Sequence, residues 1–219
     1  AFSRVRPAVS AASPAYVGVS FLEAWFSNVE ADHPAVSELV GQGSAHAGDG
    51  ERGLFAQRNS GDHIRVYIIQ KAPVDWIAEA GLTAGDTGGI RSYLLSKFSH
   101  WSPRMQQLVS DNDGPYVDRP IFALPVDHSW PHNPTVTLLG DAAHVMPPLG
   151  VGVNLAMLDA SDLALAIAGS DTVEQAVRAY ENIMLPRSQD VAKMLEGRAE
   201  DLVSDEVPDF ADEDGDERP

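Results

Sequence analysis

The sequence predicts an α/β protein with an α+β middle, and three stretches carry that expectation. Residues 52–58 and 63–71 are rich in β-formers. They flank Asn59-Ser60-Gly61-Asp62, the turn chemistry that joins two strands into a hairpin. Residues 135–139 (Thr-Val-Thr-Leu-Leu) are a short β-branched and apolar run of the kind found in buried strands. Residues 155–168 are a longer run of small and apolar residues that reads as a helix after a Pro- and Gly-rich turn.

In chain order, residues 15–23 predict a strand and residues 33–40 a short helix with Pro34 in its first turn. In the second hairpin strand Ile64, Val66 and Ile68 face one way, and Arg65, Tyr67 and Ile69 the other, because strand side chains alternate. Residues 73–80, 88–98 and 103–110 predict helices, and 119–124 a strand. The middle is therefore an antiparallel sheet backed by helices. Further on, Thr172-Val173-Glu174-Gln175 matches a capping box and predicts a helix start. Pro186 should end or kink that helix, since proline removes a backbone donor, with a second helical stretch to about residue 203.

Composition narrows the function classes. The 219 residues are 44% hydrophobic and 21% charged, enough to bury a core. Cysteine is absent, which excludes disulfides, thiolate metal sites and a cysteine nucleophile. The net charge of −17 repels phosphate backbones and anionic lipid, so neither nucleic acid nor a membrane is an expected partner. The most apolar stretch, 155–168, is interrupted by Asp159 and Asp162 and falls short of a membrane span. No signal-peptide pattern opens the chain, and a cytoplasmic setting is expected. The histidines show no paired ligand spacing, so no metal is expected. Residues 205–219 hold eight acids against Arg218, a self-repelling block expected to be a disordered tail. The chain opens on Ala1 inside apparent structure, so it is expected to be part of a longer protein.

The chemistry concentrates in residues 140–154, Gly-Asp-Ala-Ala-His-Val-Met-Pro-Pro-Leu-Gly-Val-Gly-Val-Asn. A buried strand would deliver Asp141 at its carboxyl end, where α/β sheets bind ligands. The carboxylate can accept a hydrogen bond from a polyol hydroxyl. Ala142 and Ala143 allow close approach, and Pro147-Pro148 makes a stiff lip. Gly150 and Gly152 bare the backbone to a flat ligand. Asn154 is a good N-cap for the following helix. That helix start offers free N–H groups and partial positive charge to an electron-rich edge.

This segment, continued by Leu155-Ala156-Met157-Leu158-Asp159-Ala160, resembles the second FAD-binding motif of the class A flavoprotein monooxygenases. The para-hydroxybenzoate hydroxylases and the tetracycline-inactivating monooxygenases belong to that class. The likeness to the second group runs through almost the whole chain. Residues 3–7 resemble the end of the family's Asp-Gly motif. Gln57-Arg58-Asn59 and residues 64–67 resemble its substrate-domain hairpin. Residues 73–76, 97–101 and 120–125 resemble its helices and the strand leading back to the flavin domain. The family's strand–GxGxxG–helix half, which binds the FAD pyrophosphate, is not in this sequence.

The resemblance implies a para-hydroxybenzoate hydroxylase-like FAD/NAD(P)-binding fold without its N-terminal Rossmann half. Residues 1–7 would end the first FAD-binding segment and 8–124 would form the substrate domain. Residues 125–203 would form the C-terminal FAD-binding segment and terminal helices, and 204–219 the acidic tail. Asp141 would bind the ribityl chain. Pro148, Gly150, Gly152, Val153 and Asn154 would line the isoalloxazine ring. Substrate contacts are expected from Gln57, Arg65, Tyr67, Met146 and Pro147, although Arg65 and Tyr67 could equally form an ordinary solvent face. His144 could touch the flavin or satisfy the turn. Met157, Met184 and Met194 are expected in the core. No side chain need act as acid or base. The implied activity is hydroxylation of a small organic or aromatic compound with FAD, NAD(P)H and O2, in an enzyme monomeric at full length. The alternatives are a non-catalytic or split half needing a Rossmann-bearing partner, and a related flavin reductase or halogenase.

Overall fold

Alternating burial on one strand organises the sheet. The structure is a computed structural model describing residues 1–205, and in it Ile64, Val66 and Ile68 are fully buried while Arg65 and Tyr67 between them are not. The strands are β1 (Ala15–Ser27), β2 (Ser44–Gly48), β3 (Arg52–Asn59), β4 (His63–Lys71) and β5 (Val117–Ala123), in sheet order β2-β3-β4-β1-β5. β2/β3, β3/β4 and β4/β1 pair antiparallel, and the hairpin register sets Arg58 opposite Ile64 and Gln57 opposite Arg65. The expected hairpin and helix-backed antiparallel sheet are both present. β2 and a short helix α1 (Val29–Asp32) were not foreseen: Ser44–Gly48 is Gly- and Ala-rich, and four residues carry no readable period.

The chain divides into two compact units, Ala1–Val17 with Ile121–Ala199, and Gly18–Pro120 with the residues from Glu200 on. In the second unit the buried face of the sheet packs on α2 (Pro34–Val40), α3 (Trp76–Glu79), α4 (Thr87–Lys97) and α5 (Pro103–Ser110). Leu22, Ala24, Phe26, Leu54 and Ala56 of the strands meet Val36, Trp76, Ile90, Leu94 and Leu108 of the helices. Asp86 caps α4 by accepting from Gly89 N at 2.8 Å, and Ser102 caps α5. Asp49 stands between β2 and β3. Burial pushes its pKa up, but hydrogen bonds from Trp101, the Glu51 and Arg52 amides and His100 outweigh that and hold it at about 2. The chain closes on the same hairpin. Val203 is buried in the 3₁₀ turn Arg198–Val203, and its carbonyl accepts from Gly50 N at 2.9 Å. A Cβ on Gly48 would fall on the carbonyl oxygens of Ser204 and Val203, so only glycine admits this crossing.

The first unit is built on α6 (Asp141–His144), α7 (Gly152–Gly169) and α8 (Val173–Met194) around Trp130, Leu138, Ala143, Tyr180 and Met184. α8 starts where the capping box put it, with Thr172 Oγ1 accepting from Gln175 N at 3.2 Å. Pro186 does not end it. Ala176, Tyr180, Met184 and Ser188 are buried at four-residue spacing on both sides of the proline, so packing holds the helix through the missing hydrogen bond. Past Met194 the expected second helical stretch is only the 3₁₀ turn.

Residues 135–139 are not a strand. A strand needs a ladder, and among the described residues no strand pairs with them; the Leu138 carbonyl accepts instead from Tyr180 OH at 2.9 Å. Met184 is in the core, but Met157 is 60% exposed, on a face of α7 that also bares Val153, Leu165 and Ile167. By length and composition α7 could cross a membrane, despite its two aspartates. Both aspartates are ion-paired to Arg187 of α8, which ties the helix into its own unit. Residues 206–219, most of the expected acidic tail, lie outside the described residues.

Candidate functional site

Residues 140–154 form a turn, the short helix α6, a Pro- and Gly-containing loop and the start of α7, all in the first unit. Gly140 opens the segment at φ 57°, and a Cβ there would lie 3.2 Å from Ala156 Cβ. Asp141 is therefore the first residue of α6 rather than the end of a strand. Its side chain is exposed, while its backbone is held firmly.

Three side chains hold α6. Arg6, 3% exposed, donates from Nε to Ala142 O (2.8 Å) and from Nη2 to Asp141 O (3.0 Å). His128 Nδ1 donates to Ala143 O at 2.7 Å, and its Nε2 lies 3.0 Å from Ser10 Oγ. Burial pushes the His128 pKa down, so the neutral ring accepts from the serine. Asp159, 1% exposed, accepts at Oδ2 from Gly140 N (2.8 Å) and His144 Nε2 (2.6 Å), and at Oδ1 from Arg187 Nη2 (3.0 Å). Burial works to raise the Asp159 pKa; these hydrogen bonds more than reverse it, and the carboxyl sits below its usual range. His144 thus satisfies the turn, 6% exposed, one of the two roles left open for it. The carbonyls that α6 would leave unpaired at its C-terminal end have found partners.

The start of α7 is built the other way. The helix begins at Gly152 after Val151, and no side chain caps it. Asn154 is its third residue, not its N-cap, and is exposed. The Gly152, Val153 and Asn154 amides stand in the first turn, where a helix has no acceptor of its own. Gly150 sits at φ 99°, which requires glycine. Gly152 has no such constraint: its φ is ordinary, and a Cβ there would meet nothing within 4 Å. Neither backbone nor packing explains a glycine at 152.

A profile of the FAD binding domain family matches residues 127–194, a span containing this whole segment. A monooxygenase of Penicillium thymicola, penA, is 27% identical over 89% of this chain and 56% of its own length. The Klebsiella pneumoniae protein HpxO, solved with FAD and uric acid, superposes on 91% of this chain and 49% of its own with a TM-score of 0.72 at 21% identity. The chain is similar to FAD-dependent monooxygenases and has the fold of their FAD-bound structures. The tetracycline destructase Tet(55) shares that fold at a TM-score of 0.57 and 14% identity over 95% of this chain and 51% of its own, lower on both measures than HpxO. The chain spans about half the length of these relatives.

The residues singled out for this family divide between the units. Asp141, Met146, Pro147, Pro148, Gly150, Gly152, Val153 and Asn154 lie together in the first; Gln57, Arg65 and Tyr67 lie on the sheet of the second. There the Arg65 guanidinium stacks 4.1 Å over the Trp25 ring, and its Nη1 donates to Tyr67 OH at 3.1 Å. Sequence reading missed Arg6, His128 and Arg187 as supports and took Asp159 only as an interruption. A lone carboxylate inside an apolar helix was the available signal, because a buried charge needs partners.

Proposed function

We propose that the chain is part of an FAD-dependent monooxygenase that hydroxylates a small organic or aromatic compound with NAD(P)H and O2. The observation that best supports this is Gly152, a glycine unexplained by the fold at an uncapped helix start inside the segment matched to FAD binding domains. The residues fit the cofactor. Asp141 offers an exposed carboxylate to ribityl hydroxyls. Pro148, Gly150, Gly152, Val153 and Asn154 offer a backbone surface for the flat ring. The first-turn amides of α7 and the positive end of its dipole favour an electron-rich edge without rearrangement. Bound FAD would supply the oxidation chemistry; this chain's residues hold and orient it. Gln57, Arg65, Tyr67, Met146 and Pro147 are the proposed substrate contacts. The relatives' names, a monooxygenase and a protein solved with uric acid, support oxidation of a small molecule. A monomer in the cytoplasm completes the reading and rests on the sequence.

Flavin titration of the purified chain tests it. Riboflavin carries the ring and ribityl chain without the pyrophosphate, and its fluorescence should be quenched saturably. Asp141→Ala removes a charge-assisted bond and should weaken binding roughly 10- to 150-fold with little change in unliganded stability. Gly152→Ala should weaken it about tenfold or more. Equal flavin binding by wild type and both variants, or none by wild type, removes the reading. The exposed apolar face of α7 and the unpaired 135–139 segment favour a second reading, in which the chain works only with a partner bearing the pyrophosphate-binding half. A yellow preparation holding one FAD per chain would overturn that one.

A further inference from the structure

Among the described residues His128 and His144 are the buried histidines, both in the first unit, and they are used differently. The His144 ring faces a carboxylate, Asp159; the His128 ring faces a hydroxyl, Ser10. His128 gives its Nδ1 hydrogen to Ala143 O at 2.7 Å. A carbonyl can only accept, so Nε2 carries the ring's lone pair. Ser10 Oγ lies 3.0 Å from that nitrogen and donates its hydrogen to it.

The serine is held for that contact. Its amide donates to Arg6 O at 2.9 Å, off the end of the 3₁₀ turn Arg6–Ala8, whose second residue is Pro7. Its Oγ also accepts from Ala12 N at 3.2 Å, which leaves the oxygen one lone pair uncommitted. Ser10 is half-buried and Ala11 exposed, so the oxygen is open to a small molecule from solvent. The Ala11 amide donates to no group among the described residues. In α/β-hydrolases the amide that follows the nucleophile serves the developing oxyanion. A serine, a base, a carbonyl that orients the base and a free amide are together what acyl transfer needs.

We propose that Ser10 and His128 form a second reactive centre, an esterase dyad that takes acyl groups from small activated esters. Ser10 Oγ bonds to the carbonyl carbon and its hydrogen passes to His128 Nε2. The bond from that carbon to the leaving alkoxide breaks, and the alkoxide takes the proton back from His128. Water then attacks the acyl-serine, with His128 again taking and returning the proton, and releases the acid and free Ser10. No electrons change hands, and neither flavin nor NAD(P)H takes part, so this activity stands apart from the monooxygenase reading.

Two probes read it in the full chain: turnover of 4-nitrophenyl acetate, and labelling by diethyl 4-nitrophenyl phosphate, which stops at a stable phosphoserine ester. Mass spectrometry of the labelled chain should find the diethylphosphoryl group on Ser10. Ser10→Ala, which keeps the His128–Ala143 bond, should abolish that label and lower ester turnover about a hundredfold or more. His128→Gln, whose amide can still donate to Ala143 O, should slow both reactions by a similar factor. Both rates should fall on acidification with an inflection below pH 6.5, because burial, with Arg6 and His144, outweighs the Ala143 bond and Asp127 and disfavours the protonated ring. A serine that only braced the histidine would move none of these readouts. Absence of the label from Ser10, ester turnover unchanged in Ser10→Ala, or labelling unchanged in His128→Gln overturns the proposal. Should His128→Gln fail to fold, the wild-type profile decides the part of the base: a labelling rate that stays flat on acidification from pH 6.5 overturns it.

Discussion

The two ends of the 140–154 segment follow opposite rules. At its start, Arg6, His128 and Asp159 occupy the polar groups of Gly140 through Ala143, His144 bonds to Asp159, and Gly140 is glycine because Ala156 leaves no room for more. At its end the helix amides have no side-chain cap, and Gly152 is glycine with open space beside it. The first end satisfies itself and positions the backbone. The second is left without a side-chain cap, which is what the proposed flavin surface needs. Substitutions at the start should therefore register as stability, and at the end as binding.

The largest effect should come from Asp159. Asp159→Ala leaves Arg187 facing Asp162 alone and removes the acceptor of Gly140 N and His144, and breaking a buried pair of this kind costs about 3–5 kcal/mol. Urea unfolding measures it, and a loss below about 1 kcal/mol would mean the clamp is ornamental. Gly140→Ala comes next, at about 1–3 kcal/mol, from a left-handed φ and the contact with Ala156.

Acid should separate two of the supports. His128 titrates below 6.5 in the folded chain, so its contribution is complete above pH 6.5 and is lost as pH falls toward the lowered folded value. Asp159 titrates below 3.8, so its share is complete above about pH 3.8 and is lost at lower pH still. Unfolding free energy should decline in two steps on acidification, and His128→Gln should flatten the upper one. An unchanged profile in that variant assigns the step elsewhere. The smallest effect on stability belongs to Gly152→Ala, within about 1 kcal/mol and in the stabilising direction, since alanine suits a first helical turn better. A marked destabilisation there would erase the contrast between the two ends.

What could be read in the sequence was whatever depends on near neighbours. The hairpin, the Thr172 cap, the helix entered by Pro34 and the 140–154 segment are each set by residues a few positions apart. The failures are long-range. Residues 135–139 have a strand's composition, but a strand exists only with a ladder beside it. Pro186 has a breaker's chemistry, overruled by Met184 and Ser188 packed on either side. Arg6 reaches Asp141 and Ala142 across about 135 positions, and nothing local announces that contact. Asn154 is a good cap by type, but the helix began two residues earlier, at a glycine.

The crossing of the last described residues over Gly48 and Gly53 has a consequence for how the protein is made. The second unit begins at Gly18, yet its β2–β3 hairpin is completed by Leu202 and Val203, about 150 residues further along. During synthesis the sheet can form most of its pairings as soon as β5 has emerged from the ribosome, but the hairpin end must wait until Val203 has followed. Until then the floor of the hairpin is open, and the contacts that close it are of the slowest class, those of highest sequence separation. A nascent chain stalled near residue 195 would hold a nearly finished sheet with its last seam unsealed.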